Sequence, residues 1–475
     1  MGGLPIERID ECLSVREGRL FVEDCDVRQL AQRFGTPLYV ISEDTLRRNV
    51  RRFIHAFGER WHEGQVHVLA SVKANFVLAV LNILAQEGIG CDTFGPGELH
   101  AALRSGFRRE LISVNGSSKD RGLIEQAISA GTRITLDSVS EIALVRKVAR
   151  SLGVKAQVRF RIRPRYVGLE QPSDFYEEPI PIRIAAQQYK PGIPTEDLLR
   201  IGTEVLGAPE LEVTGVMAHL GRHSRDLGVW AGMVRSYVAL LAELSNAWGG
   251  WEPLEIDLGG GFATRRDPTG RTTERGRQRP AGDWAPSIEE YADVLTKTLR
   301  EELIRHGLHV ERKTIEIEPG RSLFANAGIH LTTVRGVKLQ NEPLAWRWIE
   351  TDTSEMFLLD TLVEHCRWIP YLAGKPLQAR TQTADIVGIS CGFDVIVQQA
   401  KLPDAEPGEV VAFLDTGAYQ DACSNNFNAL PRPATVLVHD GEAELVKRAE
   451  TVEDVFRRDI VPPRLLTEKR SGDGR

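Results

Sequence analysis

The sequence predicts an α/β fold, a (β/α)8 TIM-like barrel followed by an antiparallel β domain, and two observations carry that reading. From about residue 66, strand-like apolar runs alternate with helical stretches, about eight times over roughly 270 residues, which is the rhythm of parallel βαβ units closing into a barrel. After about Ala327 the helical period fades and β-branched runs separated by turns take over, as in an antiparallel sheet.

Taken in order, residues 1–43 hold short β-like pieces, Leu20-Phe21-Val22 and Pro37 to Ile41, assigned to the β domain. Ser42-Glu43-Asp44 then caps a helix running to about Phe57. Strand 66–70 precedes helix 77–87 and then Gly88-Ile89-Gly90-Cys91-Asp92, and a helix near 97–105 precedes strand 111–114. Helices 120–130 and 139–152 lead into strands at Arg133–Asp137 and Ala156–Ile162. Strand 213–218, helix 228–247, strand 254–258, helix 287–305 and strand 314–318 complete the series. Residues 164–195 and 264–286 interrupt it and are expected as surface insertions. The expected division is 1–43 with the β domain, 44–326 barrel, 327–463 β domain and 464–475 polar tail.

At 475 residues the chain exceeds one ordinary domain. A net charge of −7 offers no basic field for nucleic acid or anionic membrane, so neither is expected as a partner. Apolar runs stay short of the ~18 residues that span a bilayer, and Met1 to Glu11 carries charge without an apolar stretch. Six scattered cysteines without a C-x-x-C pair argue against a metal site or a disulfide framework, and a cytoplasmic location is expected.

In a parallel barrel, chemistry sits where strands end on their C-terminal side. Lys73, Asp92, Arg161, His219, Gly259-Gly260-Gly261 and Glu318-Pro319-Gly320-Arg321 all fall there. A lysine closing a buried strand must either carry its head out to water or react, for example as an imine with an aldehyde. Consecutive glycines cost backbone entropy, and amides approaching a phosphate without side-chain obstruction would justify it. Glu318 lies two residues beyond Glu316 on the same strand face, and a carboxylate at the rim can keep a pyridine nitrogen charged. His219 is placed to stack on an aromatic ring.

These residues lie within longer motifs that resemble the fold-type III pyridoxal-phosphate decarboxylases, the group of diaminopimelate, ornithine and arginine decarboxylases with an alanine racemase-like barrel. Ala70 to Asn75 is similar to Y-A-V-K-A-N, and Cys91-Asp92 through Gly97-Glu98-Leu99 to A-D-V-V-S-G-G-E-L. Leu136-Asp137-Ser138 is similar to V-D-S, Asp257 to Phe262 reads D-L-G-G-G-F, and Glu318 to Arg321 reads E-P-G-R. Cys391 with Asp394 resembles a C-x-x-x-D segment that the family contributes across a dimer interface. Gly417-Ala418-Tyr419 and Asn426 to Pro433 are similar to G-A-Y…N-Y-N…P-R-P.

The resemblance implies pyridoxal 5'-phosphate as cofactor, a homodimer with shared active sites, and decarboxylation of an amino acid. It implies that Lys73 holds the cofactor covalently, with Asp92 and Arg161 beside it, and that Glu318 pairs with the ring nitrogen while His219 stacks on the ring. Gly260, Gly261, Gly320, Arg321 and Tyr419 surround the phosphate, and Cys391 from the partner copy returns a proton. Racemases of this fold carry arginine where Glu318 stands, which favours decarboxylation. Arg321, Arg367, Tyr371, Asp394 and Tyr419 are the expected substrate contacts, Arg367 and Tyr371 keeping the R-x-x-x-Y spacing used for a distal carboxylate.

Two departures bear on substrate. Diaminopimelate decarboxylases read C-E-S-x-D, whose glutamate grips the distal amine, whereas this chain reads Cys391-Gly392-Phe393-Asp394, one residue shorter and without it. H-I-G-S-Q is replaced by His219 to Ser224, which adds Arg222 and His223, and the 164–195 insertion leaves Lys190-Pro191-Gly192-Ile193 for K-F-G-I. A diaminopimelate-like substrate is the first expectation. A D-configured ornithine or lysine, or an amino acid of a specialised pathway, is the alternative, and a non-catalytic regulatory homologue is a third.

Overall fold

The computed structural model describes residues 7–8 and 12–466 apart from 172–179, 222–224, 265–284, 365 and 367. Eight parallel strands form a closed barrel: Val66–Ser71, Gly90–Thr93, Ile112–Val114, Arg133–Leu136, Ala156–Arg161, Leu211–Met217, Glu255–Asp257 and Thr314–Ile317. They pair in chain order, and the last returns to the first with Ile315 opposite Val66. Helices Leu78–Gln86, Pro96–Arg104, Arg121–Ala130, Val139–Leu152, Thr195–Leu206, Leu227–Ala247 and Ile288–Arg305 wrap the outside. The remaining place in the ring goes to Glu43–Gly58, which precedes the barrel in sequence and packs on its first strand and on helix Ile288–Arg305.

Local chemistry starts and stops these helices. Ser42 Oγ accepts from Thr45 N at 3.0 Å, and Ser287 with Glu290 forms a reciprocal capping box. Gly131 and Gly153 end their helices with φ of 72° and 68°, a left-handed conformation that L side chains rarely adopt. Helix Leu227–Ala247 is long and apolar enough to cross a bilayer by composition, contrary to the expectation from the sequence. Its Trp230, Val234, Tyr237 and Val238 are buried in the barrel core, so packing accounts for that apolarity.

The second layer is a nine-stranded sheet in which Leu38–Ser42 sits between Gly328–Gln340 and Ala434–His439. Most of its pairs are antiparallel, as expected. Two are parallel, Leu38–Ser42 with Ala434–His439 and Trp346–Thr351 with Gln382–Val387, so the sheet is mixed.

The N-terminal pieces divide. Leu38–Ser42 joins this sheet, while Glu7–Arg8, Leu13–Arg16, Arg19–Val22 and Cys25–Asp26 form a sheet of their own. The latter packs Leu13, Leu20 and Val22 against Leu331, Ala412 and Val436 of the β domain.

The expected insertion at 164–195 carries helix Ile182–Gln188 and leads directly into Thr195–Leu206, neither of which the sequence reading anticipated. Most of the 264–286 stretch lies outside the described residues, as do Arg222, His223, Arg367 and the tail from 467.

Candidate active site

The C-terminal ends of the barrel strands bring Lys73, Asp92, Glu318, His219 and the glycine loop to one mouth. Lys73 sits in a 3-10 turn, Val72–Ala74, just after the first strand. Its Nζ donates to Asp92 Oδ2 at 2.9 Å and to Ser71 Oγ at 3.0 Å. Burial alone would lower the lysine pKa, but Asp92, Tyr419 and Glu318 together outweigh it and hold the ammonium above its ordinary range. Asp92 is 3% exposed. Burial would raise its pKa, and Lys73 reverses the sign and leaves it lowered.

Behind this pair lies a buried polar network. Asn115 Nδ2 donates to Asp92 Oδ1 at 2.8 Å and also to Glu318 Oε1, tying the two carboxylates to one amide. Arg159 is fully buried. It pairs with Asp257 at 2.7 Å, with Glu316, and with Glu318 at 3.5 Å. Arg133 meets Glu316 at 2.6 Å and Glu255 at 3.0 Å. Two guanidinium groups therefore face four carboxylates inside the barrel. The imbalance falls on the upper ones: burial first, then Asp257 and Asp92, push Glu318 well above the usual carboxylate range. Asp257 is raised as well, by burial, whereas Arg133 and Arg159 overcome burial at Glu316 and hold it low.

The glycine loops fit together only without side chains. A Cβ on Gly260 would lie 2.0 Å from the Glu318 carbonyl oxygen, and one on Gly320 would lie 2.9 Å from Tyr419 Oη. Gly259 has φ of +69°. Gly260 N donates to His219 Nδ1 at 3.3 Å, which fixes the imidazole against the loop. Phe262, next along the chain, stacks on Trp230 at 5.2 Å and meets Tyr291 edge-on at 5.4 Å, anchoring the loop in the core. Arg161 Nη1 donates to Asn115 O at 3.3 Å.

The β domain closes one side of the mouth. Tyr419 N donates to Ala74 O at 2.7 Å and Asn75 Nδ2 to Gly417 O at 3.0 Å, so Gly417–Tyr419 is docked directly behind Lys73. Arg321 lies 4.7 Å from the Tyr419 ring centroid and pairs with Asp360 at 2.7 Å. Among the described residues its Nε and Nη1 are buried without a hydrogen-bond partner. Two orphaned cationic donors beside a side-chain-free backbone cradle suit an anionic oxygen group.

Two expected substrate contacts are engaged elsewhere in the fold. Asp394 is 2% exposed. Its Oδ1 accepts from Glu355 N at 2.6 Å and Ser354 Oγ at 3.1 Å, and its Oδ2 from Ser390 N at 2.6 Å. Its carboxylate is thus engaged in folding its own loop. Tyr371 packs with the N-terminal cluster, with Arg380 4.5 Å from its ring centroid, rather than with the barrel core that holds Tyr419. Arg367 lies outside the described residues. Cys391 is exposed; Asn428 accepts from its backbone N at 2.8 Å and donates to its Sγ at 3.3 Å.

A barrel mouth with a strand-end lysine, a proton-holding carboxylate and a side-chain-free anion cradle defines a class, and sequence comparison agrees with it. Residues 43–325 match the family described as pyridoxal-dependent decarboxylase, pyridoxal binding domain, and the chain belongs to that family. It is 30% identical over 467 residues to the diaminopimelate decarboxylase of Methanocaldococcus jannaschii, covering 96% of this chain and 98% of that one. The corresponding protein of Methanothermobacter thermautotrophicus is 29% identical, covering 95% and 97%. The crystal structure of the M. jannaschii enzyme in co-complex with L-lysine superposes with a TM-score of 0.85 at 29% identity, covering 96% of this chain and 99% of that one.

Proposed function

We propose that this chain uses pyridoxal 5'-phosphate to decarboxylate a diaminopimelate-like diamino acid, forming lysine. The observation that carries the reading is the Lys73–Asp92 pair tied through Asn115 to Glu318 at the strand ends, in a chain similar to diaminopimelate decarboxylases over 96% of its length. When bound, the cofactor supplies an aldehyde that joins to amines and a ring that accepts the electron pair left by departing carbon dioxide.

The protein's own part follows from its geometry. Lys73 presents Nζ from the strand end, and Asp92 keeps a proton there. Glu318 holds the proton that would pair it with the ring nitrogen, and Asn115 fixes its orientation. His219 is locked against the glycine loop and would lie along the ring. Gly260, Gly261, Gly320 and Tyr419 would hold the phosphate, while the free Arg321 nitrogens would bind anionic oxygens of phosphate or substrate.

Cys391 would return a proton from the partner copy in a homodimer. An exposed thiol flanked by Phe393 at 97% exposure and Ile389 at 50% supports a surface covered by another chain. Six cysteines scattered through the sequence without a C-x-x-C pair support a cytoplasmic setting.

Product analysis by mass spectrometry on purified, cofactor-loaded protein tests the reading. The panel is meso-diaminopimelate, both enantiomers of lysine and ornithine, and arginine. Lysine from meso-diaminopimelate is the expected product. A diamine from a D-amino acid with diaminopimelate untouched would favour the second reading, which the short Cys391–Asp394 loop supports.

A further inference from the structure

The Cys391 loop has no carboxylate of its own to offer a substrate, because Gly392 carries no side chain and Asp394 is saturated. A carboxylate from another segment lies directly against it. Glu355 is 5% exposed, and its Oε1 accepts from Asp394 N at 3.2 Å. A Cβ built on Gly392 would meet the same Oε1 at 3.0 Å. A side chain at 392 and the Glu355 carboxylate therefore compete for one place.

Other carboxylates nearby are engaged: Asp360 pairs with Arg321, Asp352 with Arg335, and Asp421 with Lys447. Glu355 differs, since among the described residues Oε2 has no partner. That oxygen is not among the buried atoms left without a partner, so it stays open to a cation arriving from outside. Burial first, then the Asp394 charge, raise the Glu355 pKa, as expected of a carboxylate awaiting a positive partner.

We propose that Glu355 is a specificity-determining residue that accepts the distal ammonium of the substrate, carried with Cys391 into the shared site. This deepens the function proposed above and rests on it. The carboxylate role has moved from the loop to the segment beneath it, so a missing glutamate at 392 does not mean a missing amine contact.

The test compares meso-diaminopimelate with 2-aminopimelate, which keeps both carboxylates and lacks the distal amine. Glu355→Gln retains a carbonyl oxygen for Asp394 N and removes only the charge. It is expected to raise KM for diaminopimelate about ten- to a hundredfold with kcat nearly unchanged, and to leave 2-aminopimelate kinetics as they were. Equal preference for the two substrates in wild type and variant overturns the assignment of Glu355. Wild-type protein that decarboxylates neither compound overturns the functional reading itself, and the assignment with it. Where Glu355→Gln fails to fold, the double variant Glu355→Ala/Gly392→Glu is read instead. Recovery of the wild-type preference for diaminopimelate then supports the proposal, and its loss overturns it.

Discussion

Lys73 and Cys391 are held in opposite ways. Lys73 opens to the mouth, its side chain 41% exposed, yet groups of its own barrel hold it, with Ser71 and Asp92 on its ammonium and a buried lattice of Asn115, Glu318 and Arg159 behind. Cys391 stands at the surface on a short loop, steadied by a single asparagine, with an almost fully exposed phenylalanine two residues on. The first region is completed within one chain, and its cost is the burial of charge. The second stands open to solvent. The contrast teaches where variation is tolerated: a barrel interior of interlocked charges resists change, whereas a surface loop can lose a residue and draw on a neighbouring segment.

The sharpest way to break the comparison is to put the two lesions on different chains. Lys73→Ala alone is expected to abolish turnover and the near-visible absorbance of bound cofactor. Cys391→Ala alone should keep that absorbance and lose about a hundred- to ten-thousandfold in kcat, the usual worth of a positioned proton donor. Mixed after unfolding and refolding together, the two variants should regain activity that neither has. A mixture as inactive as its components would mean that Cys391 serves no site shared with Lys73.

Next in size is the lattice. Arg159→Met leaves Asp257, Glu316 and Glu318 without their common cation, and stripping one partner from a buried ion pair costs about 3–5 kcal/mol. Calorimetric or urea unfolding should register the loss, whereas Arg380→Met, on the β-domain surface, should cost far less. Equal effects at the two sites would dissolve the distinction between an interlocked interior and a permissive surface. Gly260→Ala follows, with a Cβ forced to 2.0 Å from a backbone carbonyl. Overpacking of this kind costs typically about 1–3 kcal/mol, and cofactor titration should show weaker binding as well.

Much of this was legible in the chain. The strand–helix rhythm located all eight barrel strands, and the motifs brought Lys73, Glu318 and the glycines to one rim. What stayed hidden has physical reasons. Arg159 and Asn115 sit in or beside apolar runs, where a polar residue reads as solvent-facing; only closure of the barrel turns them inward to meet Glu316 and Asp92. Helix Thr195–Leu206 carried its signal in Leu198, Ile201 and Val205, but the prolines before it read as loop. Tyr371 and Asp394 held the expected spacing, yet spacing does not say which way a ring packs or whether an oxygen is already taken. Glu355 gave no sign at all, because its meaning depends on Gly392 across the fold.

The smallest predicted effect lies on the border of the two regions. Glu98, at the start of a helix by the mouth, accepts from Phe94 N at 2.6 Å, and burial first, then the Asp92 charge, push its pKa up to about 6. An acid raised in the folded state binds more protons folded than unfolded, so its ionisation opposes folding. That penalty is absent below about pH 4.5, grows as the pH rises to about 6, and is constant above, at about 2 kcal/mol by the ordinary conversion. Glu98→Gln keeps an acceptor for Phe94 N and removes the charge. The variant should therefore unfold at higher urea than wild type at pH 7 and at the same urea at pH 4. A stability gain that persists at pH 4 would assign the effect to packing at the helix start, and Asp92 would then cease to be the charge that links the rim to the buried lattice.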